Sequence, residues 1–321
     1  MFDVRVEPID RSLFAGTPEG AVALRSLAAV AASVAASGDR PWTGSVGAEL
    51  EVCPAEGVGP RQALLDLGDA VVRHGVQVAH PHTAAHLQTP PLAVAAASEL
   101  VIGATNQSMD SFDQAPAATY AEDRLVRWLA REAGLPGSAS GVMTAGGTAS
   151  NLLGLLLARD RAAQAAGVDP RRNALPPAAS GWRIVASSAA HFSVRRAAAL
   201  FGLGGDAVVP VACSGDGSMS VPALDEVLAD LRARGLSAIA LVATAGTTDL
   251  GAIDPLDALA ERARSCGAWL HVDAAVGGSL LLSDALRARL AGIDVADSIT
   301  LDLHKLLWQP IGASALLVRD G

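Results

Sequence analysis

Residues 238–272, AIALVATAGTTDLGAIDPLDALAERARSCGAWLHV, read as strand, helix, strand. The apolar run Ala238–Ala243 gives way to the small and hydroxyl residues Thr244-Ala245-Gly246-Thr247-Thr248. A helical pattern over 255–265 follows, and a second apolar run begins at Trp269. Two short apolar runs joined by an amphipathic helix make a βαβ unit with parallel strands.

The same alternation extends outward on both sides. Strands are expected at Arg183–Ser187, Ala207–Val211, Ser298–Thr300 and Ala313–Val318, with helices over 149–159, 192–201, 222–234 and 284–291. This predicts an α/β fold with a mostly parallel central sheet and helices on both faces. Ligands of such sheets bind at the carboxyl ends of the strands.

Upstream of residue 140 the rhythm differs. An Ala/Leu helix is expected over 18–36, with Pro18 and Glu19 suited to its first turn. Residues 41–60, rich in Pro and Gly, suggest an extended arm, and a second helix is expected around 61–72. Residues 78–92, VAHPHTAAHLQTPPL, hold three histidines and three prolines and suit an ordered loop. Helices over 93–105 and 119–133 complete the reading. The expected division is an N-terminal helical and extended segment, 1–92, and a large domain, 93–321.

Composition narrows the function. The chain has 321 residues, half of them apolar, enough for one large core with or without a smaller lobe. A net charge of −9, with no basic block, argues against nucleic acid or an anionic membrane as partner. Cys53, Cys213 and Cys266 are too few and too scattered for a disulfide framework or a metal site. No apolar run reaches the length of a membrane span, and MFDVRVEPIDRSLF lacks a signal-peptide core. A cytoplasmic location is expected.

Five segments that could carry chemistry each follow an expected strand. Gly146-Gly147-Thr148 opens an apolar helix and reads as a phosphate cup or as an ordinary capped turn. His191 could stack on a flat ring, move a proton, or merely cap its turn. Thr244, Thr247 and Thr248, in Thr244-Ala245-Gly246-Thr247-Thr248, place hydroxyls at the same level. Asp273, closing WLHVD, could hold a protonated ring nitrogen or cap the next turn. Lys305, in Thr300-Leu301-Asp302-Leu303-His304-Lys305, reads as a surface lysine or as an amine poised for imine formation. Basic residues here are overwhelmingly Arg, which is always charged and cannot replace Lys in that role. The shared strand-end placement makes the set stronger than its members.

The wording of several segments points further. GVMTAGGTASNLLGLLLAR (141–159), HFSVRRAAALFGLG (191–204), ATAGTTDLGAIDPL (243–256), WLHVDAAVGGSLLLS (269–283) and ADSITLDLHKLLWQP (296–310) resemble the group II decarboxylases that depend on pyridoxal phosphate. HPHTAAHLQTPP (80–91) and NQSMDSFDQAPAATYAE (106–122) resemble them too. The wording is nearest the L-2,4-diaminobutyrate decarboxylase branch.

The resemblance implies the aspartate-aminotransferase fold (fold type I) and active sites at a homodimer interface. It implies that Lys305 forms the Schiff base, Asp273 pairs with the pyridine nitrogen, His191 stacks on the ring and Ala275 packs on the opposite face. Gly147, Thr148 and His304 would serve the phosphate, with Asp302 nearby, and Thr248 would sit by the ring hydroxyl. His86 and Thr89 would line the substrate side. The expected activity is decarboxylation of a small L-amino acid such as L-2,4-diaminobutyrate. Val276 stands where many relatives carry Tyr, and Gln88 replaces a frequent His. The chain ends at Gly321, before the family's C-terminal domain. The alternatives are therefore a truncated or split subunit that needs a separate C-terminal partner, and a pyridoxal-phosphate enzyme that deaminates oxidatively or transaminates.

Overall fold

The computed structural model describes residue 15 and residues 17–36, 55–72, 74–83 and 86–321. Cys53 and most of the arm expected over 41–60 lie outside the described residues. The chain forms two compact units, Met1–Ser108 and Met109–Gly321.

The first unit is helical among its described residues. Helix α1, Pro18–Ala35, starts where the Thr17 hydroxyl accepts the Gly20 N–H at 3.0 Å. Helix α2 spans Pro60–Leu67 and continues as one π-helical turn over Gly68–Val72. Helix α3, Ala93–Thr105, ends on Asn106 in the left-handed conformation, which Asn tolerates.

The second unit begins with α4, Pro116–Glu132, and carries one seven-stranded sheet. Its strands are β1 Ser140–Thr144, β2 Trp182–Ser187, β3 Val208–Val211, β4 Ser237–Thr244, β5 Trp269–Asp273, β6 Ser298–Asp302 and β7 Ser314–Val318. The helices between them are α5 Gly147–Ala165, α6 Ser193–Leu200, α7 Val221–Ala233 and α8 Leu256–Cys266. The order across the sheet is β1-β7-β6-β5-β4-β2-β3. Strands β3, β2, β4, β5 and β6 pair in parallel, as expected from the βαβ rhythm. Strand β7 is antiparallel to both β6 and β1, because the short link after Asp302 holds no crossover helix.

The alternation of side chains along each strand feeds two cores. Val185, Leu241, Ala243, Leu270 and Val272 face Leu129 of α4, Leu224 of α7 and Leu259 of α8. Ile184, Ala186, Ala240 and Val242 face Leu155 of α5 and Val194 of α6. Helices thus cover both faces, and central strands read as unbroken apolar runs because neither face meets water.

Two expectations need correction. The helix expected over 284–291 is a set of short 3₁₀ turns, including Arg287–Leu290, stopped by Gly292 at φ 89°. Leu286 N bonds Ser283 O and Arg289 N bonds Leu286 O, each at 3.0 Å, so three-residue turns replace the α-helical ladder. Strand β1, SGVMT, was implied by the placing of Gly146 after a strand but is absent from the bounded strands expected above; its Ser and Gly carry little strand preference, and pairing with β7 overrides that. No described helix is long and apolar enough to cross a membrane.

Candidate active site

The carboxyl ends of β4, β5 and β6, the start of α6 and the N-terminus of α5 enclose a cleft of about 720 Å³. Its walls include Gly147, Thr148, His191, Thr248, Asp273, Ala275, Asp302, His304 and Lys305. Those nine positions span much of the second unit's sequence, and the parallel strands bring their ends to one edge. His86 and Thr89 belong to the first unit and are described with it: His86 is exposed with φ 65°, and Thr89 is half-buried.

Helix α5 begins at the cleft. Ala149 N and Ser150 N turn back to Gly146 O, at 2.9 and 3.1 Å, so Gly147 and Thr148 form the exposed lip of the first turn. The positive end of the helix dipole lies there. A β-carbon at Gly147 would lie 2.9 Å from both carboxylate oxygens of Asp302, so only glycine lets the helix start so close to that acid.

Asp302 ends β6 and is buried. Its Oδ2 lies 3.1 Å from Lys305 Nζ and 3.7 Å from His304 Nε2, and its Oδ1 accepts from the Ser314 hydroxyl. His304 Nδ1 lies 2.9 Å from the Ala313 carbonyl, which can only accept, so Nδ1 carries a proton. Lys305 follows in the turn, its side chain largely enclosed.

Asp273 ends β5 and is also buried. Both of its oxygens accept: Oδ1 from Ala275 N at 3.1 Å and Oδ2 from Asn151 Nδ2 at 2.7 Å. His191 sits half-buried before α6, its Nδ1 2.8 Å from the Ser193 hydroxyl. Burial holds its pKa below the ordinary histidine value, against the pull of Asp273.

Several polar residues that sequence reading did not single out underlie this wall. His271 is fully buried two residues before Asp273 on the same strand. Burial pushes its pKa down to about 4. It contacts Asn151 Oδ1 through Nε2 at 3.0 Å and Ser298 Oγ through Nδ1 at 2.8 Å. The strand period puts residues 271 and 273 on one face, and that was the available signal. Thr244, whose hydroxyl was expected at the crevice, lies opposite Asp273 on β4 and lines the cleft. Its buried Oγ1 has no hydrogen-bond partner among the described residues.

Comparison with known proteins supplies a context. The model of the pyridoxal-dependent decarboxylase conserved domain matches residues 59–321. An L-2,4-diaminobutyrate decarboxylase of Rhizobium meliloti (strain 1021) is 46% identical over 272 residues, covering 85% of this chain and 52% of that protein. One from Acinetobacter baumannii is 42% identical over 273 residues, covering 83% of this chain and 54% of that protein. The chain therefore spans about half the length of the curated relatives it matches. Among solved structures, the glutamate decarboxylase domain of diaminobutyrate-pyruvate transaminase and L-2,4-diaminobutyrate decarboxylase from Vibrio parahaemolyticus superposes with a TM-score of 0.87. It shares 39% identity and covers 98% of this chain and 69% of that one. The fold is that of fold type I.

Proposed function

The chain belongs to the pyridoxal-dependent decarboxylase family, and we propose that its cleft holds pyridoxal 5′-phosphate through Lys305 and serves decarboxylation of a small L-amino acid. The observation that carries this is one juxtaposition. The only lysine in the sequence shares a cleft with a buried strand-end acid, Asp273, and with the N-terminus of α5.

The donor set fits the cofactor. Helix α5 starts at the cleft wall with Gly147 and Thr148, where a phosphate would meet backbone N–H groups and the Thr148 hydroxyl. Thr244 Oγ1 is a buried hydroxyl with no hydrogen-bond partner among the described residues, and such a group favours a polar ligand in the cleft. Pyridoxal phosphate supplies an electron sink for the pair left when a bond to the substrate α-carbon breaks.

The chain's own residues would set up that chemistry as follows. Asp273, its oxygens already oriented by Ala275 N and Asn151, would hold the proton on the ring nitrogen. Lys305 would supply the amine that attaches the cofactor, with Asp302 beside Nζ to take or return a proton. His191 would cover one ring face and Ala275 the other. Thr248 would meet the ring hydroxyl, and His304 and Asp302 would buttress the phosphate end. His86 and Thr89 would reach the substrate.

L-2,4-diaminobutyrate is the substrate we propose first, supported by the names of the two bacterial relatives at 46% and 42% identity. We also propose a homodimer in the cytoplasm. Exposed Val94, Val101 and Ile102 on α3 support association.

The test is product analysis. Protein with added cofactor is incubated with a panel of L-amino acids, and amine and carbon dioxide are measured. The expected product is 1,3-diaminopropane from L-2,4-diaminobutyrate. A keto acid with ammonia, or no product from any amino acid, would contradict the reading.

A further inference from the structure

The hydrogen bonds around Asn151 admit one set of directions. At one end, Asp273 Oδ2 lies 2.7 Å from the Asn151 amide; a carboxylate only accepts, so that atom is the NH₂ group. The second N–H of the same group points to Ser193 Oγ at 3.0 Å. The amide oxygen must then accept from His271 Nε2 at 3.0 Å, so His271 carries its proton on Nε2.

The other end continues the same chain. Trp269 Nε1 is a donor only, and it lies 2.7 Å from Ser298 Oγ. With its proton on Nε2, the neutral His271 ring offers a lone pair at Nδ1, and the Ser298 hydroxyl at 2.8 Å donates to it. Trp269, Ser298, His271, Asn151 and Asp273 thus form one chain in which every proton points toward the acid.

A branch leads to His191. The Ser193 N–H, which can only donate, meets His191 Nδ1 at 3.3 Å, so that nitrogen accepts, and the Ser193 hydroxyl, which takes a bond from Asn151, donates to it at 2.8 Å. His191 Nδ1 faces two donors and cannot carry a proton.

We propose that Asn151 is a positioning residue for the cleft: its amide orients the Asp273 carboxylate and, through Ser193, locks His191 with its proton on Nε2. Both walls that would meet a flat ring are then set by one side chain buried in α5. The cofactor-binding consequence rests on the function proposed above; the imidazole tautomers do not.

The test has two arms. The first uses the full chain labelled with ¹⁵N-histidine, without cofactor, at pH 7. His191 and His271 are identified by the signals lost in His191→Gln and His271→Gln. Both rings are expected neutral with the proton on Nε2; a proton on Nδ1 of His191 overturns the proposal. The second arm uses Asn151→Ala and the isosteric Asn151→Asp, with folding checked by circular dichroism. The Asp form accepts from Ser193 instead of donating. Both variants are expected to give mixed tautomers at His191 and about tenfold weaker binding of pyridoxal phosphate, the loss of one charge-assisted hydrogen bond. An unchanged His191 spectrum in a folded variant overturns the proposal. If wild-type protein binds no cofactor, the proposed function fails, while the tautomer readings still decide the role of Asn151.

Discussion

Gly154 of α5 and His271 of β5 meet so closely that a β-carbon at residue 154 would lie 2.6 Å from the imidazole Nδ1 and Cε1. The helix packs onto the sheet at this point only because residue 154 has no side chain. The contact fixes the buried ring whose Nε2 faces Asn151. Gly154→Ala must therefore displace either the helix or the ring. A loss of about 1–3 kcal/mol is expected for overpacking a close-packed interface, read by urea denaturation, together with weaker cofactor binding. Unchanged stability would show that the helix shifts freely there.

Gly147→Ala tests the other tight approach. Its β-carbon would meet both oxygens of Asp302 at 2.9 Å. The carboxylate would have to leave the Ser314 hydroxyl or move toward Lys305. Affinity for pyridoxal phosphate is expected to fall by about tenfold or more, with a smaller loss of stability, since displacing one charge-assisted contact costs about 1.5–3 kcal/mol. Equilibrium titration followed by absorbance checks both the affinity and its direction.

His271 gives the fold an acid sensitivity. The unfolded chain takes up this proton near pH 6.5, whereas in the folded chain the pKa is about 4. The folded state therefore loses stability as pH falls from 6.5, and the loss is complete below about 4. The full shift corresponds to a term on the order of 3 kcal/mol. His271→Gln should start less stable at pH 7 and lose less between pH 6.5 and 4. Parallel pH profiles of denaturation midpoint for the two proteins would rule this term out.

Asp254 secures the strand end that carries Thr244. It is buried, and its two oxygens accept Met219 N and Thr244 N, each at 2.7 Å. Asp254→Asn would turn an NH₂ group toward a backbone N–H. A destabilisation of about 1–3 kcal/mol is expected from the donor left unpaired, measured by thermal or urea unfolding.

Much of this was legible in the sequence because parallel strands buried on both faces leave unbroken apolar runs, as at Ala238–Ala243. The strand-end residues Asp273 and Lys305 stood out by chemistry, and the sheet brings them to one cleft. Strand β1 was hidden because SGVMT carries no such run; its identity comes from pairing with β7. Asn151 and His271 were hidden for another reason. Each occurs in a quoted motif, yet their meaning lies in one hydrogen bond between residues far apart in the chain. Neither local pattern nor spacing encodes such a contact.

Attachment of the cofactor through Lys305 is unusually easy to test, since Lys305 is the only lysine. Purified protein is mixed with pyridoxal phosphate, reduced with borohydride, digested and read by mass spectrometry. One phosphopyridoxyl group is expected, on the peptide containing Lys305, and none in Lys305→Ala. An unmodified Lys305, or label on the N-terminal amine alone, would contradict it.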